Sequence, residues 1–452
     1  MSVQIRRVAV AALAAAVAAS TLAAQSAPKV TFTDTKLSNG LRLIVSEDHS
    51  APVFSLAVTY NVGSRDERKG RTGFAHLFEH MMFKGSEQVG PGEHFMLIFN
   101  NGGNMNGTTN KDRTLYYETL PSNQLDLALF LEADRMWSLD ITKENLENQR
   151  NAVQEERRLG VDNQPYGRTF ELIDELAYEN PAYEHSVIGS MADLSAADVA
   201  DVASFFKTYY APNNAIITVV GAVKTADVVA KAKKYFERIP QQPPPPVVDM
   251  TEPAQTAERR QTIDDALARL PRVDIAWHTP PALSADDDAL TVLAAVLSSG
   301  RSSRFYDSLV HQQQMTSGVS ASAANTRGPG LFRVSSTALP GKAIADLEKG
   351  IYAEIEKVKA GPIQPWEIEK ARNNQRRSFV SGLGSSLNRA VLLGQYALFV
   401  NDPNLINTYA DRMAKVTAAD VQRVAKQYLT PTNRTVVVTT PKTPAGAQGG
   451  VQ

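Results

Sequence analysis

Two histidines stand four residues apart in "HLFEH" (76–80), with Glu79 immediately before the second. On an α-helix, positions i and i+4 share a face, so the imidazoles of His76 and His80 can converge on one ion while Glu79 projects beside them. Neutral imidazoles suit zinc, and a catalytic zinc takes three protein ligands and keeps one position for water. The third ligand must come from elsewhere. A polar helical stretch, "NLENQRNAVQEERRLG" (145–160), offers Glu147, Glu155 and Glu156, and spacing alone does not choose among them. Taken without its surroundings, the motif also fits an ordinary solvated helix face.

Composition narrows what else the chain can do. There is no cysteine, which removes disulfides, thiolate ligands and a cysteine nucleophile, so any metal is left to histidines and carboxylates. With 47 Lys+Arg against 48 Asp+Glu, the net charge is −1 and no strong field exists to attract nucleic acid or an anionic membrane. Arg6 and Arg7, the apolar run "VAVAALAAAVAASTLAA" and small residues near Ala23, Ala24 and Ser26 read as a signal peptide over 1–24. Its removal would leave 45 basic against 48 acidic residues, a net charge of −3. The competing reading is an uncleaved anchor, but the run is alanine-rich and weakly hydrophobic, and no stable membrane insertion is expected. A cysteine-free chain with such a signal reads as a bacterial periplasmic or secreted protein.

The elements that must carry these residues are marked by periodicity. "LRLIVSED" (41–48) and "FSLAVTYNVG" (54–63) have strand character, and "TGFAHLFEHMMFKG" (72–85) has helical spacing. Helical patterns follow over 122–137, 143–160, 167–178, 195–210 and 224–238. The proline run within "RIPQQPPPPVVDM" (238–250) reads as a linker over 241–249. It separates a zinc-binding domain, 28–240, from a second domain, 250–440, with a tail over 441–452. "LSAADVADVASFFKTYYAPNNAIITVVG" (194–221) resembles "VTAADVQRVAKQYLTPTNRTVVVTTP" (416–441) as capped helix, proline turn and β-branched strand, so the second domain is expected to duplicate the first. The mixture of strands and helices in each half makes the class α+β.

"GFAHLFEHMMFKGS" (73–86), "GGNMNGTTNKDRTLYYETLP" (102–121) and "ENQRNAVQEERR" (147–158) together resemble the pitrilysin-type zinc peptidases with an inverted His-x-x-Glu-His motif. That family includes insulin-degrading enzyme and the mitochondrial processing peptidase. The resemblance covers nearly the whole chain after the signal peptide, and "NQPYGRTF" (163–170) and "YEHSVIGSMADL" (183–194) also match the family's pattern. It implies two homologous domains, each an antiparallel sheet packed with helices, that form half of a clamshell chamber. It implies one Zn2+ per chain on His76, His80 and Glu156, with Glu79 as general base. It also implies that "GGNMNGTTNKDRTLYY" is an exposed edge strand onto which peptide substrates add, contacted by Asn106 and Gly107. The family commonly has alanine where Gly107 stands.

Two departures from the family pattern stand out. Seven residues before Glu156 the family often has a glutamate, and here it is Gln149, an amide that can orient an imidazole without adding charge. The zinc-free half of relatives carries an arginine and, seven positions later, a tyrosine, for which "SLVHQQQMTS" (308–317) offers Val310 and Ser317. That absence, with a length about half that of single-chain members, points to a heterodimer with a sister subunit that lacks His-x-x-Glu-His and supplies the pair; a homodimer is the competing arrangement. His49, His94, His185, His278 and His311 lack ligand spacing to one another and read as surface or packing residues. The leading function is an exported zinc metalloendopeptidase acting on peptides or unstructured segments. The competing function is a noncatalytic assembly or chaperone-like subunit of the same fold, against which the retained Glu79 argues.

Overall fold

Strands β3 (Val53–Tyr60) and β6 (Ala215–Gly221) are buried along almost their whole length, so both faces of their sheet are covered. The computed structural model describes residues 29–324 and 326–442; the expected signal peptide (1–24) and all of the expected tail beyond 442 lie outside the described residues. β1 (Thr33–Lys36), β2 (Arg42–Glu47), β4 (Asn104–Thr109) and β5 (Thr114–Pro121) complete a six-stranded sheet in the order β1-β2-β6-β3-β5-β4. A second sheet holds β7 (Arg259–Asp265), β8 (Arg272–Thr279), β9 (Thr316–Ala323), β10 (Gly330–Ala338) and β11 (Arg434–Pro441) in the order β7-β11-β8-β10-β9. Residues 240–256 between them hold no helix or strand.

Without β1, the two sheets have the same order and the same directions, so the duplicated helix–turn–strand reflects two homologous domains. In each copy an aspartate or threonine caps the helix: Asp198 accepts from Asp201 N, and Thr417 accepts from Asp420 N. The sheets are mixed rather than antiparallel throughout, because β6 runs parallel to β2 and β11 parallel to β7. The cause is topological. β2 and β3 run in opposite directions, and β6 enters between them, so it must parallel one of the two.

Strand period 2 sends alternate residues to opposite faces. Leu43, Val45, Phe54, Leu56, Val58, Ile217 and Val219 pack on the helices of their own half, including α1 (Phe74–Met81), α3 (Leu125–Ser138), α6 (Val199–Tyr209) and α7 (Thr225–Phe236). Ile44, Ala57, Ile216 and Val220 face the other way and meet Ala390, Leu393 and Ala397 of α11 (Ser386–Val400), a helix from the other half. The second sheet receives the reciprocal element. Leu172, Ile173 and Ala177 of α5 (Gly167–Ala177) pack on Ala276, Leu331 and Val437. The two halves therefore interlock through exchanged helices, with polar ties at Ser55–Ser386 (2.8 Å) and Thr169–Thr439 (2.6 Å).

Another tie between the halves is ionic. Arg389 of α11 donates to Asp48, which follows β2, and this bond holds the Asp48 carboxyl at about 2 instead of 3.8. A depressed carboxyl stabilises the fold above its unfolded pKa and stops doing so as pH falls to its folded value. The difference in denaturant midpoint between wild type and Asp48→Asn should therefore be constant above about pH 5, narrow below about pH 4 and close near pH 2. A difference that does not change with pH would show that the pair contributes through packing alone.

Candidate metal centre

The sequence positions His76, Glu79 and His80 on α1, whose entry is unusual. Gly73 begins the helix at φ +86°, and a Cβ there would lie 2.6 Å from the Ile188 carbonyl, so only glycine lets the chain pass. The first amides of the helix are satisfied by a buried carboxylate: Glu67 accepts from Gly73 N (2.9 Å) and Ala75 N (2.7 Å). His185, at 3.6 Å from Glu67, packs behind it. On the opposite side Phe78 is clasped by Phe205, Phe206 and Tyr210, the last at 4.1 Å between ring centroids. These contacts fix the face on which the two histidines stand.

The third group arrives on α4 (Lys143–Arg157), capped by Thr142, which accepts from Asn145 N. Leu146, Gln149 and Val153 form its buried stripe, and Glu156 continues that stripe three residues on. Glu147 and Glu155 stand off it, exposed and turned to Lys143 and Arg158. The burial of this stripe, which the structure supplies, separates Glu156 from its neighbours. Glu156 Oε2 lies 3.6 Å from His76 Nε2 and 3.4 Å from His80 Nε2, with the imidazole rings at 83° to one another.

These donor atoms lie within 4.8 Å of one another. Burial, with His80 second, pulls His76 down to about 4, so its imidazole is neutral. Its Nδ1 is buried and without a partner among the described residues. A hydrogen bond to His80, ahead of the opposing effect of burial, holds Glu156 below the usual carboxylate range, so it is ionised. Two imidazoles and one carboxylate, with the carboxylate side half open to solvent, are a donor set that fits zinc and leaves room for a fourth ligand. Gln149 is buried, but its Nε2 donates to Asn148 Oδ1 and the amide does not bond the His76 Nδ1. The structure thus brings His76, His80 and Glu156 together and leaves Gln149 aside.

Glu79 is 8% exposed, and burial raises its carboxyl above the ordinary range. Its Oε2 accepts from Thr109 Oγ1 at 2.6 Å. Its Oε1 lies over Gly107, where a Cβ would come within 2.9 Å, so an alanine there would require the carboxylate to shift. Gly107 and Thr109 share a face of β4 two residues apart, and β4 is the outer strand of its sheet, paired to β5 alone. Asn106 is exposed, and its Oδ1 takes the Gly107 N–H at 2.8 Å. Thr109 and Glu67 were not singled out from the sequence. Period 2 could have flagged Thr109 once Gly107 was placed, whereas the long-range bond from Glu67 had no local sign.

Residues 42–190 match the family model described as Insulinase (Peptidase family M16), and 196–375 match the Peptidase M16 inactive domain. The chain is 31% identical over 408 residues to a zinc protease, PqqE, of Helicobacter pylori, covering 90% of this chain and 92% of that one. It is 25% identical to a probable mitochondrial-processing peptidase subunit beta of Arabidopsis thaliana, over 89% and 77% of the two chains. A crystal structure of a protease from Helicobacter pylori superposes with a TM-score of 0.88 at 30% identity, covering 91% of this chain and 100% of that one. The first half of the periplasmic protease PqqL from Escherichia coli shares the fold, with a TM-score of 0.75 at 17% identity, over 92% and 94% of the chains.

Glu67 provides a test of how the histidine helix is held. Glu67→Ala leaves two first-turn amides without their acceptor, which should cost about 1–3 kcal/mol. Amide hydrogen exchange over 73–77 should accelerate and the melting temperature fall. Unchanged protection in this segment would show that the aromatic clasp alone fixes the helix.

Proposed function

The chain belongs to the M16 peptidase family, and from that premise we propose that it is a zinc metalloendopeptidase that hydrolyses peptides or unstructured polypeptide segments. One observation carries the reading: His76 Nε2, His80 Nε2 and a Glu156 oxygen converge within metal-bond reach of one point, beside a buried Glu79. His76, His80 and Glu156 are the proposed ligands of one zinc, which when bound would supply Lewis acidity and bring the pKa of a water toward about 7.

The remaining work belongs to the chain. A peptide laid along β4 as an added strand would be held by its main-chain groups, with Asn106 and Gly107 beside the scissile bond. Glu79 accepts a proton from the attacking water at Oε1 as the new C–O bond forms, and returns it to the leaving nitrogen as the C–N bond breaks. Thr109 is a positioning residue. By donating to Oε2 it fixes which carboxylate oxygen faces the reaction. A carboxyl raised by burial accepts and returns that proton more readily near neutral pH than an exposed one.

Export to the periplasm is proposed from the N-terminal pattern, supported by the fold shared with PqqL, a periplasmic protease. Among the described residues no helix is long and apolar enough to cross a membrane. The competing reading, a noncatalytic subunit, draws on the inactive-domain match over 196–375, but that segment lies outside the one holding His76, Glu79, His80 and Glu156.

We also propose a two-chain enzyme. Val310 lies in the π-helical turn Tyr306–Gln312 and Ser317 is exposed on β9, the outer strand of the second sheet. The Val310 side chain carries no donor, and the Ser317 hydroxyl has neither the charge of an arginine nor the reach of a tyrosine phenol. A sister subunit of similar length, without the histidine motif, would supply both.

Zinc content measured beside peptide turnover tests the site. His76→Ala, His80→Ala and Glu156→Ala should each lose the activity-linked zinc, while Glu79→Gln keeps it and loses hydrolysis; full turnover by Glu79→Gln would eliminate the mechanism. Thr109→Val should lower kcat about tenfold or more, with KM, zinc content and melting temperature unchanged, and Thr109→Ser should restore it. An undisturbed kcat in Thr109→Val would remove its role. For the assembly, the purified chain alone should turn over an unstructured peptide weakly and be rescued by a motif-less paralogue, and the rescue should vanish when that paralogue's arginine is replaced. Vigorous turnover by a homodimer would refute the divided site.

A further inference from the structure

A second cluster of metal-ligating side chains lies in the first domain, away from the histidine motif. His94 comes from α2 (Glu93–Asn100), Glu118 from the middle of β5 and Glu132 from α3, and none is more than 4% exposed. We propose that His94, Glu118 and Glu132 form a buried structural site for a zinc-class divalent cation, additional to the one on His76, His80 and Glu156.

The geometry resembles that of the first centre. The donor atoms of the three residues lie within 4.8 Å of one another, as they do for His76, His80 and Glu156. His94 Nε2 stands 3.7 Å from Glu118 Oε2, too far for a hydrogen bond and close to the 3.4 and 3.6 Å separating the imidazoles from Glu156. Bonds of about 2.0–2.2 Å from a shared cation span such a gap at an open angle.

Two of the three residues offer atoms left without partners. His94 Nε2 and both carboxylate oxygens of Glu118 are buried with no hydrogen bond among the described residues. An ionised carboxylate in that condition is costly. Glu132 is already engaged: Arg135 donates from Nε to its Oε2 at 3.0 Å and from Nη2 to its Oε1. The guanidinium stacks on Tyr116 and Phe83 on its far side, at 4.4 and 5.2 Å from the ring centroids. Two carboxylates against one guanidinium leave one negative charge in the core, which a proton cancels and a divalent cation reverses, so the choice of occupant rests on geometry. Burial raises the Glu118 carboxyl well above its ordinary range, so a proton is the rival occupant. A proton, however, satisfies one Glu118 oxygen and leaves the 3.7 Å gap to His94 unbridged, whereas a cation is bonded by both. The imidazole favours zinc over magnesium and calcium, which take oxygen ligands.

Such an ion would brace the substrate strand from behind. Glu118 pairs in register with Met105 on β4, next to Asn106, and the site ties α2 and α3 to that pairing. The inference stands whether or not the first centre is catalytic.

The decisive species is the full chain carrying His76→Ala and His80→Ala, which leaves the second cluster intact. After chelation and reloading with zinc, elemental analysis and native mass spectrometry should find one tightly held ion per chain, and reloading should raise the melting temperature by several degrees. Wild type should hold two. Adding Glu118→Gln to the double variant should remove the remaining ion, while Glu118→Gln alone should keep the zinc of the first centre. A double variant that stays metal-free in excess zinc overturns the proposal and leaves a proton or an ordered water at Glu118. An ion retained after Glu118→Gln overturns the assignment of residues. The zinc of the first centre is read separately, as the difference between wild type and the double variant.

Discussion

Two imidazoles on one helix and a carboxylate on another can share an ion only if the helices are locked within a few tenths of an ångström of one arrangement. Much of the first domain serves that constraint. Glu67 ties down the first turn of α1, Gly73 lets the chain slip past the Ile188 carbonyl, and Phe78 anchors the far face among Phe205, Phe206 and Tyr210. Helix α4 meets it with the stripe Leu146, Gln149 and Val153, which sets Glu156 over the two Nε2 atoms. Strand β4 completes the enclosure by holding Glu79 through Thr109. A loosened helix would separate the donors before it unfolded anything else.

The second domain reuses the same sheet without the histidines. Its order and strand directions repeat those of the first, yet its contribution is also mechanical, because α11 covers the back of the first sheet and α5 covers the back of the second. Each half thus completes the core of the other. Burial on both faces explains why β3 and β6 do not alternate apolar with polar, the small hydroxyl residues Ser55, Thr59 and Thr218 being their only polar positions.

Much of this was legible in the residues. Period-2 and period-3.6 patterns place the strands and helices, and the matching segments 194–221 and 416–441 reveal the duplication. The i, i+4 spacing puts His76 and His80 together. Glu156 needed the family resemblance because three glutamates compete in the same helix, although the buried stripe of that helix points to the same residue. What could not be read locally depends on distant pairing. The parallel pairs β2·β6 and β7·β11 follow from strand insertion, the exchanged helices from interdomain packing, and the Glu67 and Thr109 bonds from contacts between separate elements. His94 read as a packing residue because its neighbours Glu118 and Glu132 come from other elements.

Zinc-edge anomalous diffraction from crystals of the purified chain tests the central reading most directly. The expected map has a peak about 2 Å from His76 Nε2, from His80 Nε2 and from a Glu156 oxygen, with the Glu79 carboxylate beside it but outside bonding distance. Crystals grown with zinc that show no peak bonded to His76 and His80, or a peak whose third protein ligand is a residue other than Glu156, would contradict it.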